Sequence, residues 1–361
     1  MQVGIIGLPN IGKSTLFNAI TKGEARVANF PFCTISPNVG IALVLDPRLE
    51  KLNKLINPRK VTPAEIEFVD VAGLVEGAHQ GEGLGNEFLS KIRGVDVLVE
   101  VVRCFEEGIS HPEATIDPVR DIQIIELELF LSDLEIVQRR LTKLNKLAKS
   151  GVKKAKEKLI IMEKLKNILE KGESPKIVCL KEKEEELIRE EGLLSLKPII
   201  YVANIGDKDL NFPSSLLVNL REYTLKKRAK IVELCAQLEM ELNELSLEEQ
   251  KEFIESMGIK RKGVDQLIEE AYHLLNLITF FTITGGEEVR AWPIKKGTSA
   301  LQAAGKVHSD MQKGFIRAET ITVAELLKLG SLKRAKEKGK LTAEGKDYLV
   351  KDGDIIHFRF N

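Results

Sequence analysis

Aromatic residues make up only 5% of this 361-residue chain, and a single tryptophan is among them. That scarcity argues against a single-strand nucleic-acid binder built on stacked bases. The four cysteines, Cys33, Cys104, Cys179 and Cys235, contain no C-x-x-C pair, which excludes the usual zinc ribbon and a disulfide framework and leaves them as ordinary apolar residues. No apolar run approaches the roughly 18 residues of a membrane-spanning helix. The first residues enter a strand directly, without a charged and then apolar leader, so the expectation is a soluble cytoplasmic protein. Net charge is also absent, with 54 basic residues against 54 acidic ones. Any nucleic-acid surface must therefore be local.

Hydrophobic residues at 43% supply enough material for two or three domains. The most informative stretch is Gly7-Leu-Pro-Asn-Ile-Gly-Lys-Ser-Thr15, which fits G-x-x-x-x-G-K-[ST] directly behind the apolar run Val3–Ile6. Glycines let successive backbone N–H groups turn toward a β-phosphate, Lys13 brings positive charge to the β,γ-oxygens, and the Ser14 hydroxyl offers a ligand to Mg²⁺. A periodic helix from Ser14 to Ile20 follows, so the anion would meet a helix N-terminus. A chance glycine-rich turn is the alternative reading. The order strand, loop, helix argues against it.

Short apolar strands recur at Val3–Ile6, Val39–Val44, Glu65–Asp70, Val95–Val102 and Lys197–Asn204, separated by helical or glycine-rich stretches. This alternation predicts an α/β fold with a parallel-rich sheet. Between 118 and 195 the pattern turns helical, with Ile124, Leu127, Leu131, Leu134, Gln138, Leu141, Asn145 and Ala148 at alternating spacings of three and four. A coiled-coil hairpin turning near Ser150–Gly151 is expected, its returning helix using Ile161, Met162, Leu165, Ile168 and Leu169. From Arg139 to Lys166 eleven Lys or Arg face only Glu157 and Glu163, and no aromatic residue lies among them. Such a run is either a solvated helical face or a phosphate-contacting surface, and the lack of aromatics favours shape and backbone contacts to structured RNA.

A helix at Ser215–Lys226 and a strand at Lys230–Leu234 come next. Beyond 278 the strands Thr279–Thr284 and Glu288–Pro293 flank a Gly285–Gly286 turn, a helix is expected with Thr298 as its cap, and Asp354–Phe360 alternates as a half-buried strand. The reading divides the chain into a split nucleotide-binding domain (1–117 and 196–277), an inserted helical domain (118–195) and a small β-rich module (278–361).

Within the first domain, Asp70-Val71-Ala72-Gly73 ends a strand in the D-x-x-G arrangement, in which the aspartate holds Mg²⁺ through water and the Gly73 N–H reads the γ-phosphate. Thr34, in the loop Phe30–Thr34, is the candidate second hydroxyl ligand of Mg²⁺. Leu74 stands where many GTPases carry a water-orienting glutamine, so another group must place the water or hydrolysis is slow.

The segments GLPNIGKSTLFNA, FPFCTISPNVG, DVAGLVEGAHQGEGLGNEFL and the C-terminal FIRAE with GDIIHFRF resemble the YchF subgroup of the Obg family, the Obg-like ATPases, over essentially the whole chain. The resemblance implies a P-loop NTPase domain with a helical insert and a C-terminal TGS domain of β-grasp fold. It further implies an ATP-hydrolysing switch associated with ribosomes. The motifs add Mg²⁺, the contact is expected through the basic tip and the TGS domain, and a monomer is expected. The nucleotide would be held by Asn10, Ile11, Gly12, Lys13, Ser14, Thr15 and Gly73, and its base by Asn204, Ile205 and Asp207 together with Cys235-Ala236. GTPases use N-K-x-D at that strand end, whereas the YchF subgroup usually has N-x-x-E and prefers ATP. Here Ile205 replaces the lysine while Asp207 departs from the subgroup and partly restores the guanine signature, so ATP is favoured by the resemblance of the rest of the chain and GTP stays open. Asn10 matches a K⁺-ligating asparagine of potassium-activated relatives, with a turn-forming residue as the alternative. His111 aligns with a histidine that substitutes for the missing glutamine and is assigned catalysis beside Lys13; His79 is the fallback.

Overall fold

The computed structural model describes residues 1–25, 38–71, 89, 91–106, 115–259 and 261–361. Its strands are β1 (Gln2–Ile6), β2 (Val39–Val44), β3 (Lys60–Thr62), β4 (Ala64–Asp70), β5 (Val97–Cys104), β6 (Ile199–Ile205), β7 (Lys230–Leu234), β8 (Leu277–Thr284), β9 (Glu288–Lys295), β10 (Phe315–Thr322), β11 (Thr342–Glu344) and β12 (Asp354–Phe360). The chain forms two compact units, one of residues 1–40 and 68–264, the other of 41–67 and 265–361.

The first unit is built on a sheet of order β2-β4-β1-β5-β6-β7. Strands β1, β5, β6 and β7 are parallel, with Val3 opposite Val97, Leu98 opposite Ile199 and Ile200 opposite Lys230. All eight residues of β5 are buried. A strand covered on both faces needs such a run rather than alternation. Parallel order brings the C-terminal ends of β1, β5, β6 and β7 to one edge, where ligands of open α/β sheets bind.

The helical insert starts at Asp117, whose carboxylate accepts from the N–H groups of Val119 (3.0 Å) and Arg120 (3.1 Å), with Pro118 at the first helical position. One long helix, Pro118–Lys149, turns at Ser150 and Gly151 (φ 87°) into the helix Lys153–Leu169. The expected hairpin is present, and Ile161, Met162, Leu165 and Leu169 of the returning helix are buried as anticipated. The seam of the long helix differs from expectation. Leu127 is 49% exposed, Gln138 and Asn145 are exposed, and the buried stripe runs through Ile122, Ile125, Leu129, Asp133, Val137, Leu141 and Leu144. The stripe does not read as an apolar repeat because its middle member is an acid. Asp133 is buried because it accepts from Leu194 N (2.9 Å), Ser195 N (2.8 Å) and Ser195 Oγ (2.6 Å), with Arg93 3.7 Å away. The insert is thereby tied to the segment that leads back to β6.

The second unit contains a sheet of order β11-β10-β12-β8-β9-β3. Strand β8 pairs with β9 in a hairpin turned by Gly285 (φ 49°) and Gly286 (φ 86°), while β12 lies between β8, parallel, and β10, antiparallel. That is the order of a β-grasp. Ala300, Ala303 and Ala304 of the helix Ala300–Val307 are fully buried in one cluster with Phe280, Ala318 and Phe358, since alanines let a helix lie close to a sheet. The cap of this helix is Ser299, not Thr298: Ser299 and Gln302 form a capping box, and the Thr298 hydroxyl donates to Lys295 O at 2.6 Å. Strand β3, some two hundred residues upstream in sequence, adds to β9 in parallel, with Val61 opposite Val289.

Candidate functional site

The phosphate loop leaves β1 through three residues in the left-handed or positive-φ region: Gly7 (φ 148°), Asn10 (φ 61°) and Gly12 (φ 94°). Two of them must be glycine for space as well as conformation. A Cβ on Gly7 would stand 2.7 Å from Val101 O, and one on Gly12 would stand 2.2 Å from Asn204 Nδ2. Asn10 tolerates its conformation as a turn residue. The helix Lys13–Ala25 begins at once, with Leu16 N donating to Gly12 O at 2.9 Å. Its first N–H groups therefore point into the loop.

Lys13 is 7% exposed, and its ammonium donates to Leu8 O at 2.5 Å. Burial lowers its pKa to about 8, against the opposing pull of Asp70. Burial also raises Asp70 above the ordinary carboxylate range, opposed by the Ser14 hydrogen bond and by Lys13. Desolvation outweighs the attraction of this pair, so both groups lack a counter-charge strong enough to replace water. Ser14 is exposed, and its Oγ donates to Asp70 Oδ2 at 3.3 Å. A hydroxyl and a carboxylate at the loop mouth are the oxygen donors a small hard cation takes. Among the described residues no cluster of three or more His, Cys, Asp or Glu is placed to hold a metal.

Asn204 joins three segments remote in sequence. Its Nδ2 donates to Ile11 O at 2.9 Å and its Oδ1 accepts from Ala236 N at 3.0 Å, which locks the phosphate loop to the turn after β7. Ile205 is 3% exposed and belongs to an apolar cluster with Val102, Cys104 and Leu217, so its side chain offers no face to a base. Asp207 is exposed just beyond, its Oδ1 accepting from Lys208 N at 2.8 Å. Cys235 and Ala236 are buried at the start of the helix Ala236–Leu242, and burial pushes the Cys235 thiol up. Cys104, Cys179 and Cys235 are free thiols.

Two supports were not anticipated. Asp209 accepts from Gly206 N (3.2 Å) and Ser214 N (2.8 Å), shaping the loop that carries Asp207. Asn243 donates to Ala19 O at 2.6 Å, bracing the helix behind the phosphate loop. Short-range acidic spacing in Asp207-Lys208-Asp209 was the only sequence signal for the first, and none pointed to the second. Thr34, Gly73, Leu74, His79 and His111 lie outside the described residues.

On the hairpin, Arg139, Lys143, Lys146, Lys149, Lys153, Lys154, Lys156 and Lys164 are exposed. Glu191 takes two others out of that set, meeting Arg140 Nε at 2.5 Å and contacting Lys158.

Residues 277–361 match the family model of the YchF GTPase C-terminal region, described as a protein of unknown function. Residues 2–182 match a model described as a 50S ribosome-binding GTPase. The chain is 49% identical over 364 residues to the Bacillus subtilis (strain 168) "Ribosome-binding ATPase YchF", covering 100% of this chain and 99% of that protein. Identity to the Escherichia coli O157:H7 protein of the same name is 45% over 361 residues, again covering 100% and 99%. A solved structure described as the Schizosaccharomyces pombe YchF GTPase superposes with a TM-score of 0.91 at 34% identity, covering 99% of this chain and 97% of that one. With whole-chain identity, the matching phosphate-loop domain, the hairpin insert and the β-grasp sheet all in agreement, this chain belongs to the YchF family of P-loop NTPases.

Proposed function

We propose that this protein is a ribosome-associated nucleotide switch that hydrolyses ATP to ADP and phosphate in the cytoplasm. The observation that carries the reading is Lys13, buried at the mouth of a strained phosphate loop beside the Ser14–Asp70 pair. Its positive charge, set in a dry corner, stabilises the charge that develops on the transferred phosphoryl group, together with loop N–H groups from Asn10 to Thr15. Phosphate oxygens would replace Leu8 O as the Lys13 partner, raising the lysine pKa and restoring its charge. Ser14 and Asp70 fit Mg²⁺, directly and through water, and Thr34 and Gly73 complete the assignment from the sequence. When bound, Mg²⁺ neutralises charge on the β- and γ-oxygens. His111 would place the attacking water in the stead of Leu74, and Asn10 would be the residue to hold K⁺.

Base selection falls to Asp207 and the backbone of Cys235-Ala236, with Asn204 holding both loops in register. Ile205, turned into the core, supplies no cation to stack on guanine, which supports ATP. The exposed Asp207 carboxylate favours the second reading, GTP hydrolysis, as do the GTPase descriptions of the matched domain and of the S. pombe structure. Competition of labelled ATP by unlabelled ATP and GTP separates the two; a large GTP advantage overturns the ATP assignment. Output would pass to the ribosome or structured RNA through the exposed cations of the hairpin and through the β-grasp module. Cosedimentation with ribosomes over a salt series, with and without the hairpin charges, tests that route.

A further inference from the structure

Beside the buried seam of the hairpin, the two helices leave a groove of about 510 Å³, a volume within the range of ligand sites. Gln138, Thr142 and Asn145 of the long helix stand on one wall and Glu163, Lys166 and Asn167 of the returning helix on the other, with the buried Leu141 at the base. Spacings of i, i+4, i+7 and of i, i+3, i+4 keep each set on one face of its helix. The groove therefore exists only once the two helices pair.

Carboxamides are scarce on this hairpin. Residues 118–169 hold four of them, Gln123, Gln138, Asn145 and Asn167, and three meet in this groove, together with Thr142, the one threonine of that stretch. Gln138, Asn145 and Asn167 are exposed, and their side chains hydrogen-bond to none of the described residues. The Thr142 hydroxyl donates to Gln138 O at 3.2 Å, which leaves its oxygen free to accept. Elsewhere the exposed hairpin surface is mostly Lys, Arg and Glu, as a solvated helix face requires. Here neutral groups that both donate and accept converge from two helices. Glu163 and Lys166 cancel in formal charge, and Glu170 lies 3.4 Å from the Lys166 ammonium. Beside the lining residues in sequence stand Lys143, Lys146 and Lys164, all exposed.

A neutral reading surface inside a field of cations has a specific complement. One carboxamide presents a donor and an acceptor side by side, which matches a base edge, and in RNA such edges are free in unpaired bases. Cations alone hold phosphate and position the chain without reading a base. A groove for a protein segment would offer apolar or aromatic anchors. This one offers only Leu141.

We propose that the groove takes one unpaired base of a structured RNA, its edge read by Gln138, Asn145 and Asn167 while Lys143, Lys146 and Lys164 meet the flanking phosphates. The inference rests on the ribosome or RNA contact proposed above and deepens it, because it gives the hairpin a preferred position on the RNA, which charge by itself does not.

The test is chemical probing of ribosomal RNA in purified ribosomes with and without the full chain, using dimethyl sulfate and a carbodiimide to report base edges. With the parent chain one unpaired base should be protected. In the triple variant Gln138→Ala, Asn145→Ala, Asn167→Ala that base should react again and ribosome affinity should fall about tenfold, the worth of one amide–base pair. Its log–log salt slope should stay within about 0.5 of the parent, since no phosphate contact is removed. The far-UV spectrum should be unchanged, because all three side chains are exposed. Asn145→Lys adds a cation, yet it should lose the protection and bind no tighter than the parent. Parental affinity and protection in the triple variant would overturn the groove and leave the ribosomal reading standing, whereas a parent chain that fails to cosediment with ribosomes would overturn both. A salt slope that falls with the amides, or tighter binding by Asn145→Lys, would reduce the groove to part of an electrostatic face. Weakened binding of the triple variant with no protected base in the parent complex would give the groove to a ribosomal protein and overturn the assignment to RNA.

Discussion

The phosphate-loop corner and the helical hairpin use positive charge in opposite ways. At the corner one lysine is 7% exposed, and burial weakens its hold on its proton. On the hairpin eight cations stand in water, and only Arg140 and Lys158 are claimed by the buried Glu191. A desolvated charge acts strongly on one atom at short range, whereas solvated charges act additively and are screened by salt. On the proposed function, chemistry falls to the first arrangement and adhesion to the second.

The sharpest way to break this comparison is Lys13→Ala. Removing the buried charge should lower the hydrolysis rate by about a thousandfold, as deletion of a preorganised charge stabiliser does, and leave cosedimentation of nucleotide-free protein with ribosomes unchanged. Equal loss of both would mean that the corner and the hairpin are not separable. Next in size is Asp133→Ala, which leaves the Leu194 and Ser195 donors unanswered in a buried place, while Arg93 keeps its bonds to Gly192 O and Ser132 Oγ. It should cost about 3 kcal/mol in chemical denaturation, and a loss under about 0.5 kcal/mol would remove Asp133 as the tie between insert and sheet.

Charge removal at Lys153, Lys154 and Lys156 is the matching test of the hairpin. If each of these lysines neutralises one phosphate, the log–log salt slope of ribosome or RNA binding should fall by about 3 and affinity by about tenfold or more at low salt. An unchanged slope would return these residues to the role of a solvated face. The smallest effect is in pH. Lys13 is charged below its pKa of about 8 in the nucleotide-free protein, and bound phosphates favour the charged form, so binding above that value takes up a proton. Nucleotide affinity should therefore hold from about pH 6.5 to 7.5 and fall by up to about tenfold per unit above about pH 8, while hairpin binding stays flat over the same range. Titration calorimetry in buffers of different ionisation enthalpy reads the proton directly.

Much of the fold was legible because its signals are local. Strand β7 and the helix Ser215–Lys226 coincide with the expected ranges, and the Gly285–Gly286 turn sits between the two strands it was expected to join. Each depends on alternation, periodicity or turn chemistry within a few residues. Where a polar residue carried the packing, the pattern misled. Asp133 occupies the buried stripe of the long helix, and counting apolar positions shifted the seam toward Gln138 and Asn145. The cap at Ser299 rather than Thr298 is a smaller slip of the same kind, since both hydroxyls satisfy the pattern and only backbone geometry separates them. At the candidate site, Lys13, Ser14 and Asp70 were nameable from motif order, and the structure places them together. Asp209 and Asn243 were not, because a side chain that bonds to a distant main chain leaves no spacing to read.

By itself the sequence determined the phosphate loop, since G-x-x-x-x-G-K-[ST] after a strand requires backbone shapes that few other residues tolerate. It also determined the run of exposed cations, which is a matter of composition along one helix pair. Only the tertiary structure decided that Lys13 is dry enough to lose its proton near pH 8, that Asn204 ties Ile11 to Ala236, that β3 adds to β9, and that Glu100 is wholly buried with neither carboxyl oxygen hydrogen-bonded. These depend on desolvation and on pairings between residues up to about two hundred positions apart. Chain closure in three dimensions sets both, and no local pattern encodes either.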